Sequence, residues 1–169
     1  ALSKQGLADI KFLPGDGIFF RTGWGVHWIK DNAKFNSGEP GIGMEVAKWL
    51  SDTVQAGVVG SDTWGLENVP AKDAGCAFCI HAHLLTRHGI VNQENMDLDA
   101  LAADKAWRFL YMYSPMPIGG ATGSAGSPPA SCARPTSAPR SGCATPGSAT
   151  RIWPRRSLRA ARRAASRSR

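Results

Sequence analysis

Along the first 118 residues, runs of apolar side chains alternate between a strand-like and a helix-like spacing. In "GDGIFFRTGW" (15–24) the run Ile18, Phe19 and Phe20 is bounded by glycines, which predicts a short buried strand. "GVHWIKDNAKFNSGEPGIG" reads as loop and helix and ends in a Pro/Gly-rich stretch. "MEVAKWLSDTVQAG" (44–57) then places Val46, Trp49, Leu50 and Val54 on one helical face, with Gly57 where a C-terminal cap is expected. "GVVGSDTW" returns as strand and loop, with Asp62 just past the strand, so the segment is a β-α-β unit by pattern. A second helix is predicted over residues 80–88, stopped by Gly89, and "IVNQENM" (90–96) reads as extended. "DLDALAADKAW" begins as an acid-rich turn, and "RFLYMYSPMPI" (108–118) as a strand broken by prolines. Alternation of this kind predicts an α/β fold with a substantial sheet.

From Gly119 the pattern stops. The remaining residues are almost all Ala, Gly, Ser, Pro, Thr and Arg, too poor in apolar surface to offset the entropy of ordering, which predicts a disordered tail over 125–169 after an ordered domain over 1–124. Charge divides at the same place: residues 1–119 carry −3, and the rest carry ten arginines, no lysine and no acid. The overall charge of +7 therefore belongs to the tail and does not mark the folded part as a nucleic-acid binder. Two readings of the tail compete. One is an arginine-rich arm for nucleic acid; the other is out-of-frame translation of GC-rich DNA, which the absence of lysine favours. No run of eighteen or more apolar residues indicates a membrane span, and the opening "ALSKQGLADI", with neither a starting Met nor a secretory pattern, reads as the middle of a longer sequence.

Candidate chemistry is concentrated in "CAFCIHAHLLTRHGIVNQEN" (76–95). A self-contained zinc site of Cys76, Cys79, His81 and His83 would draw four ligands from eight residues, whereas structural zinc sites take pairs from separated elements. A redox Cys-x-x-Cys before a helix is a second reading, and two small buried hydrophobes the plainer one. Of the four cysteines, reduced thiols are the default expectation. On a regular helix, positions 81 and 83 point about 200° apart, so only one of the two can face a given site; 83 shares a face with 87, and 81 with 84, 85 and 88. One helix histidine and Glu94, on the extended segment after a glycine turn, can converge on a cation through imidazole nitrogen and carboxylate oxygen. The alternative, a capping histidine and a solvated glutamate, is left open by the pattern.

"GDGIFFRTGW", "VVGSDTWGLE", "HAHLLTRHGIVNQENM" and "FLYMYSPMPIGGATGS" together resemble the cyclase family that includes bacterial kynurenine formamidase and isatin hydrolase, over residues 7–124. The resemblance implies a swivelling β/β/α domain, here incomplete at its N-terminus, and a metal-dependent hydrolase of a small amide or lactam, arylformamidase-like and connected with tryptophan catabolism. It implies a divalent metal, zinc or manganese, with ligands matching His83 and Glu94, and His81 as the alternative. The family's His-x-Gly-Thr-His-x-Asp motif has no counterpart here, since the chain contains no Thr-His pair. By the resemblance this chain is a half site that binds metal weakly or not at all and is inactive alone. Phe20, Trp24, Trp28 and Trp64 are candidate walls of a pocket for a planar amide, although core or subunit contacts would use such residues equally well. The resemblance also implies a homo-oligomer in the bacterial cytoplasm, with a small-molecule amide as partner and neither membrane nor nucleic acid. A polyketide-type cyclase or dehydratase is the alternative within the enzyme class, and a non-catalytic protein with a nucleic-acid-binding tail the alternative outside it.

Overall fold

A computed structural model of the chain describes residues 2–72, 75–126 and 130–131. Most of the expected tail, with Cys132 and Cys143, lies outside the described residues. The chain forms two compact units, Ala1–Trp107 and Arg108–Arg169.

In the first unit, β1 (Gly17–Phe20), β2 (Val58–Ser61) and β3 (Val91–Gln93) form a parallel sheet in the order β1-β2-β3. Gly17 to Phe20 align with Val58 to Ser61, and Val58 to Gly60 with Val91 to Gln93. Parallel neighbours need a crossover, and each of the two connections supplies one. Between β1 and β2 the chain forms a 3₁₀ turn (Trp24–His27), α1 (Asn32–Asn36) and α2 (Met44–Lys48), which runs on as a π turn, Trp49–Val54. Between β2 and β3 it forms α3 (Cys79–His81), which likewise runs on as a π turn, Ala82–Arg87. The expected α/β character, with a small parallel sheet, is therefore present.

Leu50 and Val54 from the first crossover, Ile80 and Leu84 from the second, and Val59 and Leu66 between them close one core, each at most 6% exposed. Burying a side chain of this size contributes ~1.5–3 kcal/mol. Phe20 and Trp49 pack against that core from its edge. Both crossover helices end on a residue of positive φ followed by a hydrogen bond spanning six residues: Gln55 with Ala56 N to Leu50 O at 3.0 Å, and Gly89 with Ile90 N to Leu84 O at 2.9 Å. Gly89 thus stops its helix as expected, whereas the cap of the first helix is Gln55 and not Gly57. Asp62, buried just past β2, accepts from Thr22 N, Thr22 Oγ1 and Gly23 N at 2.7–2.8 Å and so ties the ends of β1 and β2 together.

The acid-rich "DLDALAADKAW" holds more than a turn. Asp99–Ala103 is a helix, α4, because Ala and Leu are strong helix formers and Asp97 Oδ1 accepts the Asp99 N–H at 3.1 Å. In the second unit the strand expected over 108–118 shrinks to β4 (Leu110–Tyr111), paired antiparallel with β5 (Ala130–Ser131). Pro115 and Pro117 have no N–H to extend that ladder. No helix among the described residues is long and apolar enough to cross a membrane.

Candidate functional site

Two loops meet where the sequence places Glu39 and Glu67. Glu39 exchanges backbone hydrogen bonds with Val69, at 2.9 and 3.0 Å, and Ile42 N donates to Leu66 O at 3.0 Å. Gly41 permits this approach, since a Cβ there would overlap the backbone oxygens of Leu66 and Glu67. The stitched loops aim both carboxylates inward, leaving Glu39 and Glu67 5% and 3% exposed.

Glu67 receives the start of α3. Its Oε2 accepts the Ile80 N–H at 3.3 Å and its Oε1 the His81 N–H at 3.1 Å, which satisfies donors that a helix start leaves free. The same Oε1 lies 2.5 Å from His81 Nδ1. On the other side of the ring, His81 Nε2 is 2.8 Å from Oε1 of Glu94, just past β3. One imidazole is therefore held between two carboxylates. The hydrogen bond to Glu94, with a further contribution from Glu67, outweighs burial and pushes the His81 imidazolium up to about 9. Glu39 lies close enough to feel the charges of both His81 and Glu94. Burial pushes its carboxyl up to about 7, against the hydrogen bond that Trp64 N donates to Oε2 at 2.6 Å. The Gly65 backbone, beside its Oε1, adds a smaller effect in the same direction as Trp64.

His83 faces elsewhere. Its Nε2 is 3.0 Å from Ser51 Oγ, and its ring lies tilted against that of His88, 4.5 Å between centroids. Of the expected pair His83 and Glu94, the structure therefore joins Glu94 to the alternative, His81. Only one of 81 and 83 faces Glu94, as the helical-face argument requires, but 88 joins 83 and not 81: the π turn over Ala82–Arg87 winds more slowly than an α-helix, which brings residues five apart onto one face. The cysteines also depart from expectation. Cys76 and Cys79 are half-buried and joined as a disulfide, with Cα atoms 5.5 Å apart, and are not two separate buried thiols.

Three of the four expected aromatic residues converge on Phe35. Trp24 Nε1 and Trp64 Nε1 both donate to Phe35 O, at 3.3 and 3.0 Å, and Trp28 meets the Phe35 ring edge to face at 5.2 Å. Trp64 continues toward the histidine through Phe78, whose ring lies 6.3 Å from Trp64 and 5.4 Å from His81. Phe20 instead packs on the sheet core.

Residues 1–68 match a family model described as "Putative cyclase". Over that span the chain is cyclase-like. A solved structure described as the crystal structure of a novel cyclase matches with a TM-score of 0.60 at 29% identity, over 75% of this chain and 42% of that one. The chain thus spans less than half the length of that cyclase. No curated protein matches the chain. The cyclase match takes in Glu39, Asp62, Glu67 and the tryptophan cluster, and ends before His81 and Glu94.

Neither Glu39 nor Glu67 is singled out in the sequence. The available signal is local: each is a lone acid in a Gly/Pro-rich loop, "SGEPG" and "WGLENVP", where a solvated carboxylate would have no reason to be enclosed.

Proposed function

We propose that this chain carries part of the active site of a metal-dependent hydrolase in the cyclase family, with the swivelling β/β/α architecture of that family, cleaving the carbon–nitrogen bond of a small amide or lactam. The observation that supports this most is the line Glu67–His81–Glu94. A carboxylate on Nδ1 fixes the ring and raises its basicity, and Nε2 is left facing a second carboxylate, the donor pairing that suits a zinc- or manganese-type cation.

His81 and Glu94 would hold the metal, and Glu67 would orient His81. When bound, such an ion lowers the pKa of a coordinated water toward ~7 and polarises a carbonyl. The other parts belong to the chain itself. Glu39, with its carboxyl near 7, is poised to take a proton from one group and return it to another around neutral pH. Trp64 and Phe78 line the approach to His81 with flat apolar surface suited to an aryl amide.

The test is complementation. The chain alone is expected to bind metal weakly and to leave N-formyl aryl amides intact, because two protein ligands hold a divalent ion poorly. Joined to an upstream segment bearing His-x-Gly-Thr-His-x-Asp, it should hydrolyse them and lose that activity on His81→Ala or Glu94→Ala. Full activity in either variant would refute the assignment, and turnover of a polyketone but not of an aryl amide would shift it to a cyclase or dehydratase.

A further inference from the structure

His83, turned toward Ser51 and away from Glu94, belongs to a different cluster. Asp52, from the π turn after α2, and His83 and His88, from the π turn after α3 and its end, each offer a ligand atom, and these atoms all lie within 4.8 Å of one another. We propose that Asp52, His83 and His88 form a second divalent-cation site, separate from the His81–Glu94 pair and selective for a borderline metal such as Zn²⁺ over Mg²⁺ or Ca²⁺.

Geometry carries the proposal. Tetrahedral ligands about ~2.1 Å from a zinc ion lie ~3.4 Å from one another, so side chains already within 4.8 Å need move by only about an ångström. Asp52 and His88 are exposed and can adjust at little cost. His83 and Asp52 are also pre-aligned from behind. The Ser51 hydroxyl, on a residue only 8% exposed, lies 3.0 Å from His83 Nε2 and 2.7 Å from Asp52 Oδ1. A buried hydroxyl that positions both an imidazole and a carboxylate is the kind of support that metal ligands receive.

The π winding is the second observation. On a regular α-helix His83 and His88 would point ~140° apart, because each residue turns the chain ~100°. Here the slower winding brings their rings to 4.5 Å. Two imidazoles and one carboxylate form a three-ligand set that leaves a position open for water. Imidazole favours zinc, copper and nickel, and the hard ions that prefer all-oxygen shells gain little from it. Lys48 and Arg87 act on His83 with like charge and set an upper limit on affinity.

The proposal is tested on the full chain with its thiols alkylated, so that Cys132 and Cys143 do not compete for zinc. A His81→Gln/Glu94→Gln background removes the other histidine–carboxylate pair, so the outcome does not depend on the proposed hydrolase reading. Calorimetric titration with Zn²⁺ should show one ion per chain in that background. Because loss of a mere supporting partner weakens metal binding ~10–100-fold, His88→Ala or Asp52→Asn should weaken it by at least about 10-fold. Mg²⁺ should give no saturable heat. If the double variant does not fold, the same titration is read in the wild-type chain from the histidine ring resonances, where Zn²⁺ should shift His83 and His88 together and the His88→Ala substitution should abolish the His83 shift. Absence of Zn²⁺ binding in the background variant, equal affinity in His88→Ala, or ring shifts confined to His81 would each overturn the proposal.

Discussion

Deprotonating His81 should loosen the fold between neutral and alkaline pH. The imidazolium lies between Glu67 and Glu94, and its value is raised from the ordinary 6.5 to about 9. A group whose folded value exceeds its unfolded one binds its proton more tightly in the native state. Its stabilising contribution is therefore complete below ~6.5 and is lost as pH rises through about 9. Each pKa unit corresponds to ~1.4 kcal/mol, so the metal-free protein should lose about 3 kcal/mol on this account between pH 6 and pH 9.5. The His81–Glu94 contact, which contributes most, is open to solvent, so screening makes this figure an upper bound. With a urea dependence of ~1–3 kcal/mol per molar, the unfolding midpoint should fall by one to a few molar, on the order of 2 M.

The assay is urea unfolding in the presence of a chelator at half-unit pH steps, for the wild-type chain and for His81→Gln. Glutamine retains a hydrogen-bonding side chain between the two carboxylates but does not titrate, so the difference between the two proteins isolates His81. The wild type should decline steeply above pH 7 while the variant declines much less. Parallel curves, or a wild-type midpoint that does not change from pH 6.5 to 9, would refute the reasoning, because either result would show that the two carboxylates do not hold a proton on the ring.

Glu39 should move stability in the same direction over a lower window. Its carboxyl is raised from 4.5 to about 7, so its contribution is present below ~4.5 and lost as pH rises through 7; Glu39→Gln, a neutral replacement that can still accept from Trp64 N, should raise the unfolding midpoint at pH 8 and flatten the profile between pH 4.5 and 7. In the core, Leu84→Ala removes a fully buried side chain on the inner face of the second crossover and should cost ~3–5 kcal/mol in chemical denaturation.

Most of the scaffold was legible because its signals are short-range. The glycine-bounded apolar run of β1, the amphipathic stretch before Gln55 and the stop at Gly89 each follow from residues a few positions apart, and all three appear close to their expected places. Errors arise where a local rule meets a longer-range competitor. The strand over 108–118 is reduced to Leu110–Tyr111 and an isolated bridge at Pro115, and α4 formed where a single acceptor from Asp97 completed a helix start. The candidate site was legible only in part, for two physical reasons. Glu39 lies 25 residues from Trp64, and Glu67 13 and 14 residues from Ile80 and His81, and their loops come together through backbone pairing that depends on Gly41, which no periodicity reports. Which histidine meets Glu94 depends on how tightly one turn of helix winds, and a π turn carries no distinctive residue pattern. His81, in α3, meets Glu94, while the π turn that follows brings His83 to His88. A substitution that restored regular α winding over Ala82–Arg87 would rotate His83 away from His88 and so take apart the Asp52–His83–His88 cluster.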